Sequence, residues 1–202
     1  MIKIEHLCKS FGENTVFEDL CIEIKDGEFV IFAGVSGCGK TTLLHMIGGI
    51  EKIDSGNIIV DGLDISKEKR LNGYFKEKIG FLFQNFALVE QKSIQKNLEM
   101  VQKSARSSIS IQEALERVGL AGKENICVYK LSGGEQQRVA LARLMVKKCD
   151  IILADEPTGS LDSKNADSVM QFLHQLNDEG KTIIMVTHDE GIIKKEKRVI
   201  HL

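Results

Sequence analysis

The sequence has no tryptophan, a single proline (Pro157) and no Cys-x-x-Cys pair. It also lacks internal repeats and low-complexity tracts, so no linker divides it into separate domains. No run approaches the roughly 18 consecutive apolar residues that a membrane span requires. The opening Met1-Ile2-Lys3-Ile4-Glu5-His6 is too broken by charge for a secretory signal. The expectation is a protein kept in the cytosol, without direct membrane insertion. Neither charge dominates: Lys and Arg number 27 against 29 Asp and Glu, a formal net charge of −2. A face that neutralises many phosphates needs a cationic surplus, so nucleic-acid binding is not expected. The five cysteines (Cys8, Cys21, Cys38, Cys127, Cys149) are an odd set without metal-ligand spacing. Reduced thiols, and no zinc site, are the expectation.

What is present is enough apolar residue to build a core. At 202 residues and 43% apolar, the chain is a globular domain rather than a disordered one. Leu20, Ile22 and Ile24 alternate as an antiparallel strand does. Phe29–Ala33, Ile151–Ala154 and Thr182–Val186 are short continuous apolar runs. Such runs suit central parallel strands covered on both faces. Helical patterns cover Thr41–Ile50, Glu135–Lys147 and Ser163–Asn177, with Gly180 after the last. Ser110-Ile111-Gln112-Glu113 has capping-box spacing, and Gly119 can close that helix. Strands alternating with helices predict an α/β layered fold. The segment from about Ile94 to Val128 is helical without a clear strand and reads as an inserted lobe. Lys194-Lys195-Glu196-Lys197-Arg198 reads as a solvated face ahead of a last strand, Val199–Leu202.

Gly34-Val35-Ser36-Gly37-Cys38-Gly39-Lys40-Thr41 fits G-x-x-x-x-G-K-[ST], between a buried strand and a helix. Its glycines let backbone N–H groups converge on phosphates, and the helix N-terminus adds partial positive charge. Lys40 is expected on the β- and γ-phosphates, and the Thr41 hydroxyl on Mg²⁺. Cys38 stands at a variable position of the loop, where a small residue is tolerated. Downstream, an apolar strand ends in Asp155 and Glu156. Asp155 is expected to hold Mg²⁺ through a water, and Glu156 to polarise the attacking water as general base.

Leu131-Ser132-Gly133-Gly134-Glu135-Gln136-Gln137-Arg138 resembles the signature motif of ABC-type ATPases, and the resemblance extends along the whole chain. It implies a P-loop NTPase fold with an antiparallel β subdomain, a parallel-sheet core (1–84 and 131–202) and a small helical subdomain (85–130). It implies ATP and Mg²⁺ as ligands, and ATP hydrolysis coupled to transport. It also implies a head-to-tail homodimer formed on ATP, in which Ser132 and Gly134 of one copy close over the nucleotide of the other. Phe11 takes the position of the adenine-stacking aromatic, where many members have Tyr. Thr42 follows Thr41 in the nucleotide-binding set. Gln84 matches the glutamine that contacts Mg²⁺ and the attacking water. Asp162 matches the loop that crosses the dimer interface, and His188 the histidine that contacts the γ-phosphate.

Leu153–Asp162, Ile79–Gln84 and Lys181–Asp189 resemble one bacterial branch in particular. That branch holds macrolide and antimicrobial-peptide exporters, lipoprotein-release ATPases and the cell-division ATPase. The implied partner is a separate transmembrane permease, with the ATPase peripheral on the inner face of the plasma membrane. The stretch from Gln84 to Leu131 is shorter than is usual in the branch, which resembles small subunits encoded with bacteriocin-type exporters. DNA-repair members carry long coiled coils and translation members carry tandem cassettes, and this chain shows neither. A cassette that binds without hydrolysing is opposed by the presence of Gln84, Glu156, His188 and the signature together.

Overall fold

The computed structural model describes residues 1–68 and 71–202. Strands β1 (Ile2–Phe11) and β2 (Asn14–Ile24) pair antiparallel, and β4 (Ser55–Val60) and β5 (Leu63–Asp64) extend the sheet in the order β2-β1-β4-β5. Alternation puts Ile2, Ile4 and Leu7 of β1 into the core, matched by Ile58 and Val60 of β4. The β1–β2 register slips three times: once between Lys9 and Ser10, which face Phe17 and Thr15 and leave Val16 unopposed, and twice nearer the start of β1. Ile4 faces Ile22 and Leu7 faces Leu20, so Glu5 and His6 oppose Cys21 alone. Lys9 then faces Phe17, so Cys8 opposes both Glu18 and Asp19. These two bulges lie on opposite strands and cancel, which keeps Leu7 in the core.

The second sheet is parallel: β3 (Phe29–Ala33), β6 (Ile79–Leu82), β7 (Ile151–Asp155), β8 (Thr182–Val186) and β9 (Val199–His201), in the order β6-β7-β8-β3-β9. It forms the middle layer. Ile151, Leu153, Ile184 and Val186 face the antiparallel sheet and helix α1 (Lys40–Ile47). Ile152, Ala154, Ile183 and Met185 face α5 (Gly133–Val146) and α6 (Ser163–Asp178). Burial on both faces is why these strands are continuously apolar.

The helices form where the periodicity places them. Helix α6 starts at Asp162, whose carboxylate accepts the Asn165 amide at 3.0 Å, and buries Val169, Leu173 and Leu176 on one face. Helix α1 ends at Ile47, three residues earlier than its pattern suggests, because Gly48 and Gly49 follow and Gly49 turns left-handed (φ 70°). The inserted segment holds only short helices, α3 (Ile94–Glu99) and α4 (Ile111–Arg117), which share one apolar cluster with α5. Ser110 caps α4 by accepting the Glu113 amide at 3.1 Å. The reciprocal half of the capping box is replaced, because Glu113 pairs with Arg117 at 2.6 Å instead. Two further short helices, α2 (Asn72–Glu77) and α7 (Glu190–Ile193), complete the layers.

Candidate functional site

Parallel strands deliver their carboxyl ends to one edge, and that edge carries the chemistry. Gly34 follows β3, Asp155 ends β7 with Glu156 just past it, His188 lies just past β8, and Gln84 just past β6. Leu82 pairs with Ala154, and Asp155 with Val186, so these loops are neighbours.

The Gly34–Thr41 loop wraps tightly. Gly34 (φ 149°) and Gly39 (φ 96°) take left-handed conformations in close quarters. A Cβ on Gly39 would stand 2.3 Å from Val16 and 2.7 Å from the Phe17 ring, so only glycine fits. Lys40 is 8% exposed, and its ammonium donates to the Gly34 and Val35 carbonyls at 2.9 and 2.8 Å. No carboxylate pairs with it among the described residues. A nearly buried cation satisfied by two carbonyls and a sulfur rather than by a carboxylate, at a helix N-terminus, is built for an anion. Ser36 and Gly37 lie exposed on the crest, Cys38 lies beneath them 3.7 Å from the Lys40 nitrogen, and Thr42 is half-buried.

Thr41 Oγ1 donates to Asp155 Oδ1 at 2.8 Å. Two hard oxygen donors side by side suit a small divalent cation such as Mg²⁺, while the exposed Gln84 amide nitrogen lies beside Gly159. His45 also faces Asp155: its Nε2 is buried without a hydrogen bond, 3.9 Å from Oδ2. The motifs do not mark His45, although Thr41 and His45 stand four apart on one helix face.

Glu156 has a left-handed backbone (φ 46°), uncommon for a residue with a side chain. One carboxylate oxygen meets His188 Nδ1 at 2.9 Å, and the other is buried with no partner. The hydrogen bond that the Glu156 carboxylate accepts from His188 raises the His188 pKa above the ordinary imidazole value. A raised folded-state pKa favours the imidazolium. The pair therefore adds stability below the unfolded pKa of about 6.5, and that stability is lost as pH rises through the folded value. The ring is 75% exposed, so the effect is screened. An NMR titration of the His188 ring is expected to give a midpoint above 6.5, falling back when Glu156 is replaced by Gln. An unchanged midpoint in that variant would remove Glu156 as the cause.

The remaining predicted residues lie outside this constellation. Ser132 caps α5, accepting the Glu135 amide at 3.3 Å while its own amide donates to Glu135 at 3.0 Å. The Glu135 carboxylate is pulled down to about 2, first by its bond to Lys123 and then by the Ser132 amide. Gly134 packs on Asn165, where a Cβ would stand 2.6 Å from the side-chain oxygen. Neither Ser132 nor Gly134 bonds to the Gly34–Thr42 loop among the described residues. Phe11 ends β1, 50% exposed, with the Lys9 ammonium 4.5 Å from its ring centroid. Helix α5 makes two further links. Gln137, fully buried, donates to the Pro157 carbonyl at 2.6 Å, and Arg143 donates to the Phe86 and Ala87 carbonyls at 2.9 and 2.5 Å.

A family model described as "ABC transporter" matches residues 17–159, more than half of the chain. The chain belongs to the ABC transporter family. It is one of that family's ATP-hydrolysing cassettes, with the two-sheet α/β architecture described above. The whole chain aligns with the lipoprotein-releasing system ATP-binding protein LolD of Bacteroides thetaiotaomicron at 40% identity, covering 96% of it. It aligns with the macrolide export ATP-binding/permease protein MacB of Campylobacter jejuni at 38% identity, but spans only 33% of that protein's length. Among solved structures, a dimeric bacterial ABC transporter cassette, MJ0796, superposes with a TM-score of 0.89 at 37% identity, covering 100% of this chain and 94% of that one. A post-hydrolysis dimer of MJ0796 bound to ADP and phosphate superposes with a TM-score of 0.86 at 34% identity, with the same coverage.

Proposed function

We propose that this cassette powers a separate membrane permease that exports a peptide, a bacteriocin or another hydrophobic compound, or confers resistance to it. The carrying observation is Glu156: a carboxylate with one oxygen on His188 and the other buried and unpartnered. Leaving such an oxygen unsatisfied costs about 1–3 kcal/mol, which is reasonable where a water is to be gripped during turnover.

In this reading Phe11 stacks on adenine, and the Gly34–Thr42 amides with Lys40 hold the phosphates. Thr41, Asp155 and Gln84 would hold Mg²⁺, which supplies charge neutralisation across the terminal phosphates. Glu156 takes the proton of the attacking water as the new P–O bond forms and the bond to the ADP oxygen breaks. His188 keeps Glu156 and the γ-phosphate in line. Ser132 and Gly134 of a second copy close the site, and Asp162 lies on the loop facing that copy. The permease would dock in the cavity of about 720 Å³ between α2, β6 and the inserted lobe, lined by Phe75, Phe83, Val89 and Met100. Residues 85–130 form that lobe. The protein would sit on the inner membrane face through this contact alone.

The first test is phosphate release from Mg-ATP by purified protein, together with membrane recruitment that depends on the co-expressed permease. A protein that binds ATP without releasing phosphate would sink the reading. Phe11→Ala is expected to raise KM roughly 5- to 150-fold with kcat little changed. Aromatic–base stacking is worth about 1–3 kcal/mol and is equal in ground and transition states. Phe11→Tyr should restore affinity, and an unmoved KM would take Phe11 out of the site.

A second reading, an ATPase of a lipoprotein-release or cell-division complex, is favoured by the near full-length alignment with LolD. Rescue of cells depleted of their own lipoprotein-releasing ATPase would select it over export.

A further inference from the structure

We propose that His6, Asp19 and Cys21 form a binding site for a zinc-class divalent transition metal on the surface of the antiparallel sheet. The His6 ring nitrogen, an Asp19 carboxylate oxygen and the Cys21 sulfur all lie within 4.8 Å of one another. Nothing in the linear spacing of these residues marks a metal site. The two cancelling bulges create it.

Each bulge contributes one extra residue, His6 on β1 and Asp19 on β2, on either side of the single pair Leu7–Leu20. Both extra residues take left-handed conformations, φ 51° and 56°. A non-glycine residue there is uncommon, and two of them flanking one cross-strand pair re-aim their side chains outward to the same spot. His6 Nδ1 already meets Asp19 Oδ1 at 2.6 Å. Cys21 Sγ accepts the His6 amide at 3.3 Å, which fixes the sulfur beside the imidazole. Cys8 Sγ accepts the Asp19 amide at 3.5 Å and braces the other bulge.

The donor set selects the metal class. Imidazole nitrogen, carboxylate oxygen and thiolate sulfur suit zinc, cobalt or nickel, whereas Mg²⁺ prefers oxygen alone. Tetrahedral bonds of about 2.0–2.3 Å place ligand atoms roughly 3.3–3.7 Å apart. The 4.8 Å limit exceeds this by about 1 Å, which rotation of exposed side chains can close without moving the strands. Binding replaces the His6–Asp19 hydrogen bond, with the Nδ1 proton passing to Nε2 or to solvent, and the Cys21 thiol proton leaves to solvent, with water completing the fourth position. An exposed His–Asp pair alone would be an ordinary surface contact. The sulfur held against it by the backbone makes the cluster a ligand set.

The test is titration of the reduced, metal-free protein with Co²⁺, read by the sulfur-to-cobalt charge-transfer absorption. The expected result is a band that saturates at one equivalent and is bleached by Zn²⁺. It should survive Cys38→Ser, which removes the thiol beside the nucleotide loop, and be lost in Cys21→Ser. His6→Asn, which tolerates the left-handed backbone, should weaken cobalt binding at least tenfold with an unchanged circular dichroism spectrum. Zn²⁺ at a hundredfold excess over its Kd should raise the Tm of the wild type by several degrees and leave Cys21→Ser unmoved. Absence of the band, or its persistence in Cys21→Ser, would overturn the assignment.

Discussion

Glu156→Gln should lower ATP turnover by about 10²- to 10⁴-fold, the usual contribution of a positioned general base, while leaving ATP affinity intact. The substitution keeps the volume and replaces only the charge, so the left-handed turn and the amide bond to Val186 persist. What disappears is a carboxylate oxygen, buried and unpartnered, that can take a proton. With hydrolysis stopped and binding retained, a closed dimer should accumulate. Size measured with and without Mg-ATP is expected to shift from monomer to dimer only with nucleotide, and only stably in this variant. Retention of more than a tenth of wild-type turnover would remove Glu156 as the base. A turnover-dead variant that stays monomeric with ATP would leave two options: closure needs the permease, or this cassette does not close as its motifs imply.

Lys40→Met should lower affinity for ATP and ADP by at least a hundredfold. Hydrogen bonds from an ammonium to phosphate are worth about 1.5–3 kcal/mol each, and Lys40 is placed to make more than one. Methionine keeps much of the aliphatic stem, so Leu43, Leu44, Met46 and Ile47 stay packed behind it and the helix should survive. The loss is then one of recognition rather than folding. Calorimetric titration with ADP separates the two, because an unchanged Tm with lost binding is the expected pattern. An affinity within threefold of wild type would mean that the loop amides alone hold the nucleotide.

Much of this site could be read without coordinates because it rests on local chemistry. The runs that became β3, β7 and β8 are buried on both faces, and such strands announce themselves by continuous apolar character. The phosphate loop is legible because only glycine can sit between Val16, Phe17 and the helix N-terminus. Strand β4 carries weaker signals: it opens on Ser55-Gly56-Asn57, residues of low β propensity, and is held by pairing with β1. The half-formed capping box at Ser110 shows a local rule yielding to a competing charge on Arg117. His45 stayed hidden because its relation to Asp155 crosses from a helix to a strand 110 residues away. The His6, Asp19 and Cys21 cluster depends on register, which sequence specifies only through the inward side chains it must keep buried.

Helix α5 spans about 20 Å. Its first turn is the signature face, its middle grips the backbone at Pro157 just past Glu156, and its far end grips the loop that follows Gln84. A stiff rod with three fixtures leaves those fixtures no separate clocks. On the proposed reading, arrival of a second copy at one end, readiness of Glu156 in the middle and the posture offered to a permease at the other would fall in phase. Synchrony would then come from the rigidity of one helix rather than from a signal relayed from loop to loop.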